Sequence, residues 1–141
     1  MAHVDVSSAA AVDRDWLAAE DAHIPADWVA RCIEAGEYLI ARVGGTRAGF
    51  LRYAWFWRTI PYMELIRVAE TSRRRGIGTA LFRRWEGDMR AGGARLLTTS
   101  SMSDEPEPQA WHRRNGFVAS GSLTFGHLQE TPEVFFVKTL D

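Results

Sequence analysis

A single cysteine, Cys32, stands in the 141 residues. An intramolecular disulfide is therefore excluded, and so is a zinc site built from cysteines. A lone thiol fits a reducing compartment. No segment approaches the ~18 continuous apolar residues of a spanning helix, so no membrane is expected. Met1 to Trp16 lacks a basic region followed by an apolar run, because Asp5, Asp13, Arg14 and Asp15 interrupt it. It is not read as a signal peptide, and the cytoplasm is the expected location. A surplus of charge is also missing: the formal net charge is -1. Proteins that hold nucleic acid through its phosphates are normally basic, so that class is disfavoured. There is no internal repeat, low-complexity tract or linker-like stretch, and residues 1–141 read as one domain, long enough to bury a core. Hydrophobic residues at 46% and charged residues at 25% are ordinary for a globular protein and argue against disorder.

What is present alternates between two periodicities. His3 to Val6 suits a short strand. Ala11 to Ala22 reads as a helix broken at Ile24-Pro25, since a proline disfavours helix in the residue before it. Ala26 to Ala35 reads as a second helix, with Trp28, Val29, Cys32 and Ile33 at helical spacing and Gly36 at its end. Tyr38 to Val43, then Gly44-Gly45, then Ala48 to Trp57 is a hairpin pattern. Tyr62 to Val68 makes a third strand. Ile77, Leu81, Trp85 and Met89 step by four along an amphipathic helix that Gly92-Gly93 ends. Arg95 to Thr99 is a further strand, Gln109 to Asn115 a short helix closed by Gly116, and Phe117 to Phe125 and Glu133 to Lys138 are the last strands. The expectation is an α/β chain of the α+β kind, a mixed sheet with flanking helices.

The chemistry concentrates between Val68 and Thr79. A strand ends near Val68, Glu70-Thr71-Ser72 follows, and Arg73-Arg74-Arg75-Gly76-Ile77-Gly78-Thr79 opens a helix. Glycines let the backbone approach a bulky anion and permit positive φ. The first N–H groups of a helix lack internal partners, and its dipole favours negative charge there. A pyrophosphate suits such a cradle. A short Gly-x-Gly alone is equally well a solvated turn. A Walker-type loop is excluded, because Thr79, not lysine, follows Gly78. A dinucleotide fingerprint is excluded because Leu81 takes the place of its third glycine.

Val68 followed by Arg73-x-x-Gly76-x-Gly78 resembles the Arg/Gln-x-x-Gly-x-Gly/Ala signature of the GNAT superfamily of N-acetyltransferases. Trp111-His112-Arg113-Arg114-Asn115-Gly116-Phe117 resembles the aromatic-Tyr-x-x-x-Gly-Phe helix end found downstream in that family. The element order is similar over nearly the whole chain. The resemblance implies an acyl-CoA N-acyltransferase fold, mostly antiparallel with splayed strands, and acetyl-CoA as cosubstrate with no metal. It implies that Ile66, Arg67 and Val68 meet the pantetheine arm and thioester, with the Val68 amide polarising the acetyl carbonyl. It places Arg73, Arg74, Arg75, Gly76, Ile77, Gly78 and Thr79 around the pyrophosphate.

Acetyl transfer to an amine needs a deprotonated nucleophile, a stabilised oxyanion and a leaving thiolate. His112 falls where most relatives carry a tyrosine that protonates the thiolate. An imidazole with its ordinary pKa of ~6.5 suits that task; the bland reading is a helix histidine without a catalytic role. Glu64 lies four residues before Val68, where protein-acetylating relatives carry a general base. By alternation it shares a face with Ile66 and Val68, and an outward-facing surface charge is an equal reading. Ser103-Asp104-Glu105-Pro106 stands where many relatives place an asparagine, and no contact is assigned there.

The acceptor implied is a primary amine of a small molecule or peptide. The residues singled out for it are Trp16, Asp21, His23, Trp55, Trp57 and Tyr62. Among the six tryptophans, Trp28 and Trp85 are read as core, while Trp55 and Trp57 suit a pocket rim or a homodimer contact. The alternative function is a non-catalytic acyl-CoA-binding module of the same fold.

Overall fold

The computed structural model describes residues 3–141. Its elements follow the expected order: β1 (Val4–Ser8), α1 (Arg14–Glu20), α2 (Ala26–Glu34), β2 (Tyr38–Val43), β3 (Thr46–Phe56), β4 (Ile60–Val68), α3 (Ile77–Ala91), β5 (Leu96–Met102), α4 (Pro106–Arg114), β6 (Val118–Phe125) and β7 (Gln129–Thr139). The strand order is β1-β2-β3-β4-β5-β7-β6. The pairs β1–β2, β2–β3, β5–β7 and β6–β7 are antiparallel, and β4–β5 is parallel. This is the mixed α/β sheet with flanking helices expected from the sequence. The described residues form two compact units: those up to Tyr53 with Leu65–Gly87, and Ala54–Glu64 with Asp88–Asp141.

In the first unit, Leu17, Val29, Tyr38, Ile40 and Phe50 form a buried cluster, and Trp16, Ile24, Cys32, Ile33 and Leu65 pack against it. Periodicity explains the set. Val29, Cys32 and Ile33 share one face of α2, and Ile40 and Phe50 face each other across β2–β3. Trp28 is the exception to its sequence reading. It lies about 100° around the helix from Val29 and is 49% exposed, with the Arg31 guanidinium 4.7 Å from its ring. Trp85 is fully buried, as expected.

Two acidic side chains are buried in this unit. Asp21 accepts from the Tyr38 hydroxyl (2.6 Å) and from Arg52 Nε (2.8 Å). Burial, and then the Asp21 carboxylate, push the Tyr38 hydroxyl pKa far up. Asp13 accepts from Arg42, Arg47 and the Ala10 N–H. Burial pushes the Asp13 carboxyl up, but these hydrogen bonds outweigh it and hold its pKa below the ordinary value.

In the second unit the parallel ladder is short: Tyr62 pairs with Thr98 and Met63 with Thr99. Side chains strengthen it. The Thr98 hydroxyl donates to the Pro61 carbonyl (2.8 Å) and the Thr99 hydroxyl to the Met63 carbonyl (3.0 Å). Helix α4 starts at Pro106, three residues before the expected Gln109, because Pro106 occupies the first turn, where its missing N–H costs nothing. It ends in a Schellman motif. Gly116 has φ +92°, its N–H donates to the Arg113 carbonyl, and the Phe117 N–H donates to the His112 carbonyl.

Arg52 is almost fully buried beside Asp21, and Asp21→Ala removes the carboxylate that its Nε meets at 2.8 Å. Urea unfolding is expected to show a loss of about 3–5 kcal/mol, which Arg52→Met in the same chain partly restores. A double variant less stable than Asp21→Ala alone would contradict this.

Candidate active site

The end of β4 is held against β3. The Ala69 N–H donates to the Ala48 carbonyl at 2.8 Å. Next to it, Gly49 leaves no room for a side chain. A Cβ there would lie 2.7 Å from the Arg67 carbonyl oxygen and 3.3 Å from both Val68 Cα and Ile77 Cγ2. The missing side chain lets β3, the end of β4 and the start of α3 meet at one point. The sequence reading passed over Gly49, although an isolated glycine within a strand pattern marks a close backbone approach.

The chain then runs through a 3₁₀ turn at Glu70–Ser72 into the arginine run. Arg73 is extended, and its Nε donates to the Val68 carbonyl at 3.4 Å. Arg73 is thus tied to the strand end it follows. Arg74 and Gly76 both take left-handed conformations, with φ +66° and +76°. Left-handed residues in such a turn build the concave N–H arrangements that hold anions. A left-handed arginine stores strain of order 1 kcal/mol, which is common at ligand clamps. Gly76 has open space around it, so conformation is what demands glycine there. The Ala80 N–H donates to the Gly76 carbonyl, so the N–H groups of Ile77, Gly78 and Thr79 precede the first helical donor.

Ile77 is buried and anchors the helix start, while Arg73, Arg74, Arg75, Gly76 and Thr79 are exposed. A Cβ on Gly78 would meet Val68 Cγ2 at 3.7 Å, an ordinary contact. That accounts for a signature that accepts alanine at this place. Ile66, Arg67, Val68 and the whole run to Thr79 therefore come together within the first unit. Glycines, exposed guanidinium groups and open N–H groups fit a pyrophosphate.

Glu64 and His112 belong to the second unit. Glu64 is exposed on β4. His112 is buried, and its ring lies among Trp111, Phe117 and Phe136, at 5.2 Å from the Phe136 ring. Burial drives its pKa down to about 4, against the upward pull of a hydrogen bond to the Ser100 backbone and of the Glu133 charge. The ordinary value near 6.5 expected from the sequence does not hold. At neutral pH the ring is neutral, and its buried Nδ1 has no hydrogen-bond partner among the described residues.

The other singled-out residues divide. Asp21 sits in its buried ion pair, which overturns its reading as a pocket carboxylate. Trp16 packs edge-on against Phe50. His23 is exposed, and its backbone N–H donates to Asp21 Oδ1. Trp55 and Trp57 are 42% and 85% exposed, and Trp57 and Arg58 form a left-handed hairpin turn. Tyr62 stacks with Phe135 and lies against Phe56.

The glycine-opened helix start behind a clamped strand end and the helix stop at Gly116-Phe117 are the two places where the sequence resembles the GNAT signature. Residues 8–117 match the family model described as Acetyltransferase (GNAT) family, and the chain belongs to that family. It is an acyltransferase. No curated protein matches the sequence. Among solved structures, Ard1 from Thermoplasma volcanium is similar at a TM-score of 0.84 and 16% identity, over 98% of each chain. A GNAT-family acetyltransferase from Bacillus cereus is similar at 0.78 and 24% identity, over 99% of each. The protein yncA from Salmonella typhimurium, solved with its cofactor acetyl-CoA, is similar at 0.80 and 16% identity, over 98% of this chain and 94% of its own.

Gly49→Ala is expected to lower stability by about 1–3 kcal/mol, because the Arg67 carbonyl has to move. Gly78→Ala is expected to stay within about 0.5 kcal/mol of the parent. Equal effects in urea unfolding would contradict this. His112 gives a pH dependence. Its folded pKa is depressed, so its contribution is complete above the unfolded value of ~6.5 and is lost as pH falls toward 4, by about 3 kcal/mol. His112→Leu should flatten the stability curve in that window; an unchanged slope would contradict the assignment.

Proposed function

We propose that the chain transfers the acetyl group of acetyl-CoA to a primary amine of a small molecule or peptide, by direct attack on the thioester. It does so as one domain, since the boundaries between the two compact units fall inside β3, β4 and α3 and not in linkers. The observation that carries this reading is the cradle, where exposed arginines, a left-handed Arg74-x-Gly76 turn and an anchored helix start follow directly on the strand end at Val68. Bound acetyl-CoA supplies the activated acyl group. In this reading the N–H groups from Arg74 to Thr79 hold the pyrophosphate, with Arg74 and Arg75 adding charge. The backbone from Ile66 to Val68 lies along the pantetheine, and the Val68 N–H steadies the developing oxyanion.

Glu64 takes the proton of the attacking amine, directly or through water. No side chain is assigned to protonate the departing thiolate. A thiol of pKa near ~8.5 leaves as thiolate at neutral pH at a cost of about 2 kcal/mol, so a dedicated acid is not indispensable. With its pKa near 4, His112 is a neutral imidazole at neutral pH and lacks the imidazolium proton that such an acid gives. The second reading, a non-catalytic acyl-CoA-binding module, rests on the same cradle.

Thiol release across a panel of amines separates the two, and turnover with any amine rejects the binding module. Glu64→Gln is expected to reduce turnover by about 10²-fold while the acetyl-CoA dissociation constant stays unchanged. Full activity in that variant would remove Glu64 as base.

A further inference from the structure

The tip of the hairpin between β3 and β4 runs against the preference of its own residues. Trp57 and Arg58 take φ +50° and +61°, and the Thr59 N–H donates to the Phe56 carbonyl at 3.0 Å. A two-residue turn with both φ values positive normally carries Asn-Gly, and a bulky aromatic residue is strained there. The strain gains no packing within the chain, because Trp57 is 85% exposed. Arg58 is exposed beside it, and no ion pair or hydrogen bond engages its side chain among the described residues. A strained aromatic residue held in solvent marks a recognition element.

The same unit carries a recess of complementary chemistry. Phe56, next to the tip, sets its ring 4.8 Å from Tyr62 and 6.4 Å from Phe135, and those two rings stack at 6.2 Å. Tyr62 and Phe135 wall a cleft of about 310 Å³, together with Phe125, Leu128, Gln129 and Glu133. Leu128 stands at its rim, 86% exposed, in the turn joining β6 to β7. The cleft has one charged group. Glu133 accepts from Ser100 Oγ (2.6 Å) and from Gln129 Nε2 (2.9 Å), which fixes its carboxylate while each oxygen keeps room for another donor. No lysine or arginine lines the cleft, and neither Trp57 nor Arg58 of the same chain does.

We propose that the occupant of this cleft is the Trp57-Arg58 tip of a second copy of the chain, the indole against the aromatic walls and Leu128, the guanidinium on Glu133. The charges are complementary, one unpaired cation on the tip and one fixed carboxylate in the cleft. The volume, at the small end of ligand pockets, suits one ring system. Tip and cleft are neighbours in one unit, joined through Phe56. A two-fold axis between them therefore places each tip in the other chain's cleft, so the interface is self-complementary and closes at two copies. Tryptophan and arginine are the residues that most often carry the binding energy of an interface. The proposal concerns assembly and stands apart from the acetyl-transfer reading.

Sedimentation velocity on the full chain, from about 1 to about 100 µM, tests it. The expected result is a dimer whose share rises with concentration. Trp57→Asn keeps the turn, since asparagine takes the left-handed conformation readily. Leu128→Arg blocks the cleft from an exposed position, and Arg58→Glu sets a like charge against Glu133. Each variant should weaken dimerisation at least about tenfold, with an unchanged circular dichroism spectrum showing that it is folded. Mixing gives the decisive arm. Trp57→Asn keeps an open cleft and Leu128→Arg keeps an intact tip, so the mixture regains one of the two contacts and should dimerise more than either variant alone. A parent chain that stays monomeric throughout overturns the proposal. So does a dimer that any of the three variants leaves unchanged, or a mixture that sediments as its separate components do.

Discussion

The close approach at Gly49 is the constraint on which the cradle depends. A strand end is useful to a thioester only if its backbone is held still, and β4 is held by the Ala69–Ala48 hydrogen bond and by contact with a residue that has no side chain. With the Arg67 carbonyl so near the place where a Cβ would stand, β3 and β4 leave no slack. Ile77, buried at the start of α3, reaches the same point. Helix start and strand end are therefore registered to each other through Gly49, and Gly78 against Val68 completes the contact. The left-handed Arg74 and Gly76 are then what a short connection between two fixed ends demands.

The second unit solves a different problem. Its parallel ladder is only two pairs long, and hydroxyl groups of Thr98 and Thr99 add bonds to β4 carbonyls. The next residue, Ser100, carries a hydroxyl that links Tyr62 to Glu133. The Ser100 backbone also bonds His112, and the Glu133 charge acts on the same ring. Three successive residues of β5, Thr98, Thr99 and Ser100, thus tie the strand pairing, the buried imidazole and Glu133 together. His112 is better placed to brace this arrangement than to exchange protons at neutral pH.

Much of this was legible in the residues. Tyr38–Val43 is bracketed by Gly36 and by Gly44-Gly45, so its limits could be read to the residue. The helix from Ile77 shows its step of four, and Gly116-Phe117 announces a helix stop. The failures have physical causes. Asp104 to Pro108 reads as a loop or helix entry, and α4 does open at Pro106 within it, since the first turn of a helix accepts proline; only the start at Gln109 was set too late. Pro132 hid the first four residues of β7, because a proline usually ends a strand. Asp21 resembled a pocket carboxylate because its partner Arg52 lies 31 residues away. The depressed pKa of His112 arises from burial, and Phe136 of β7, which helps to bury the ring, lies too far along the chain for a local pattern to show it. The hydrogen-bonded setting of Glu133 went unforeseen because its neighbours in space, Tyr62 and Ser100, are remote in the chain.

The central claim is that the turn from Val68 to Thr79 holds the pyrophosphate end of acetyl-CoA. The most direct measurement is a calorimetric titration of acetyl-CoA into the folded protein at two salt concentrations, repeated with Arg74→Ala/Arg75→Ala. The account predicts saturable one-to-one binding that weakens as salt rises, and weaker binding with a shallower salt dependence in the double variant. Absence of binding to a folded sample, or binding of equal strength and salt dependence in both proteins, would contradict it.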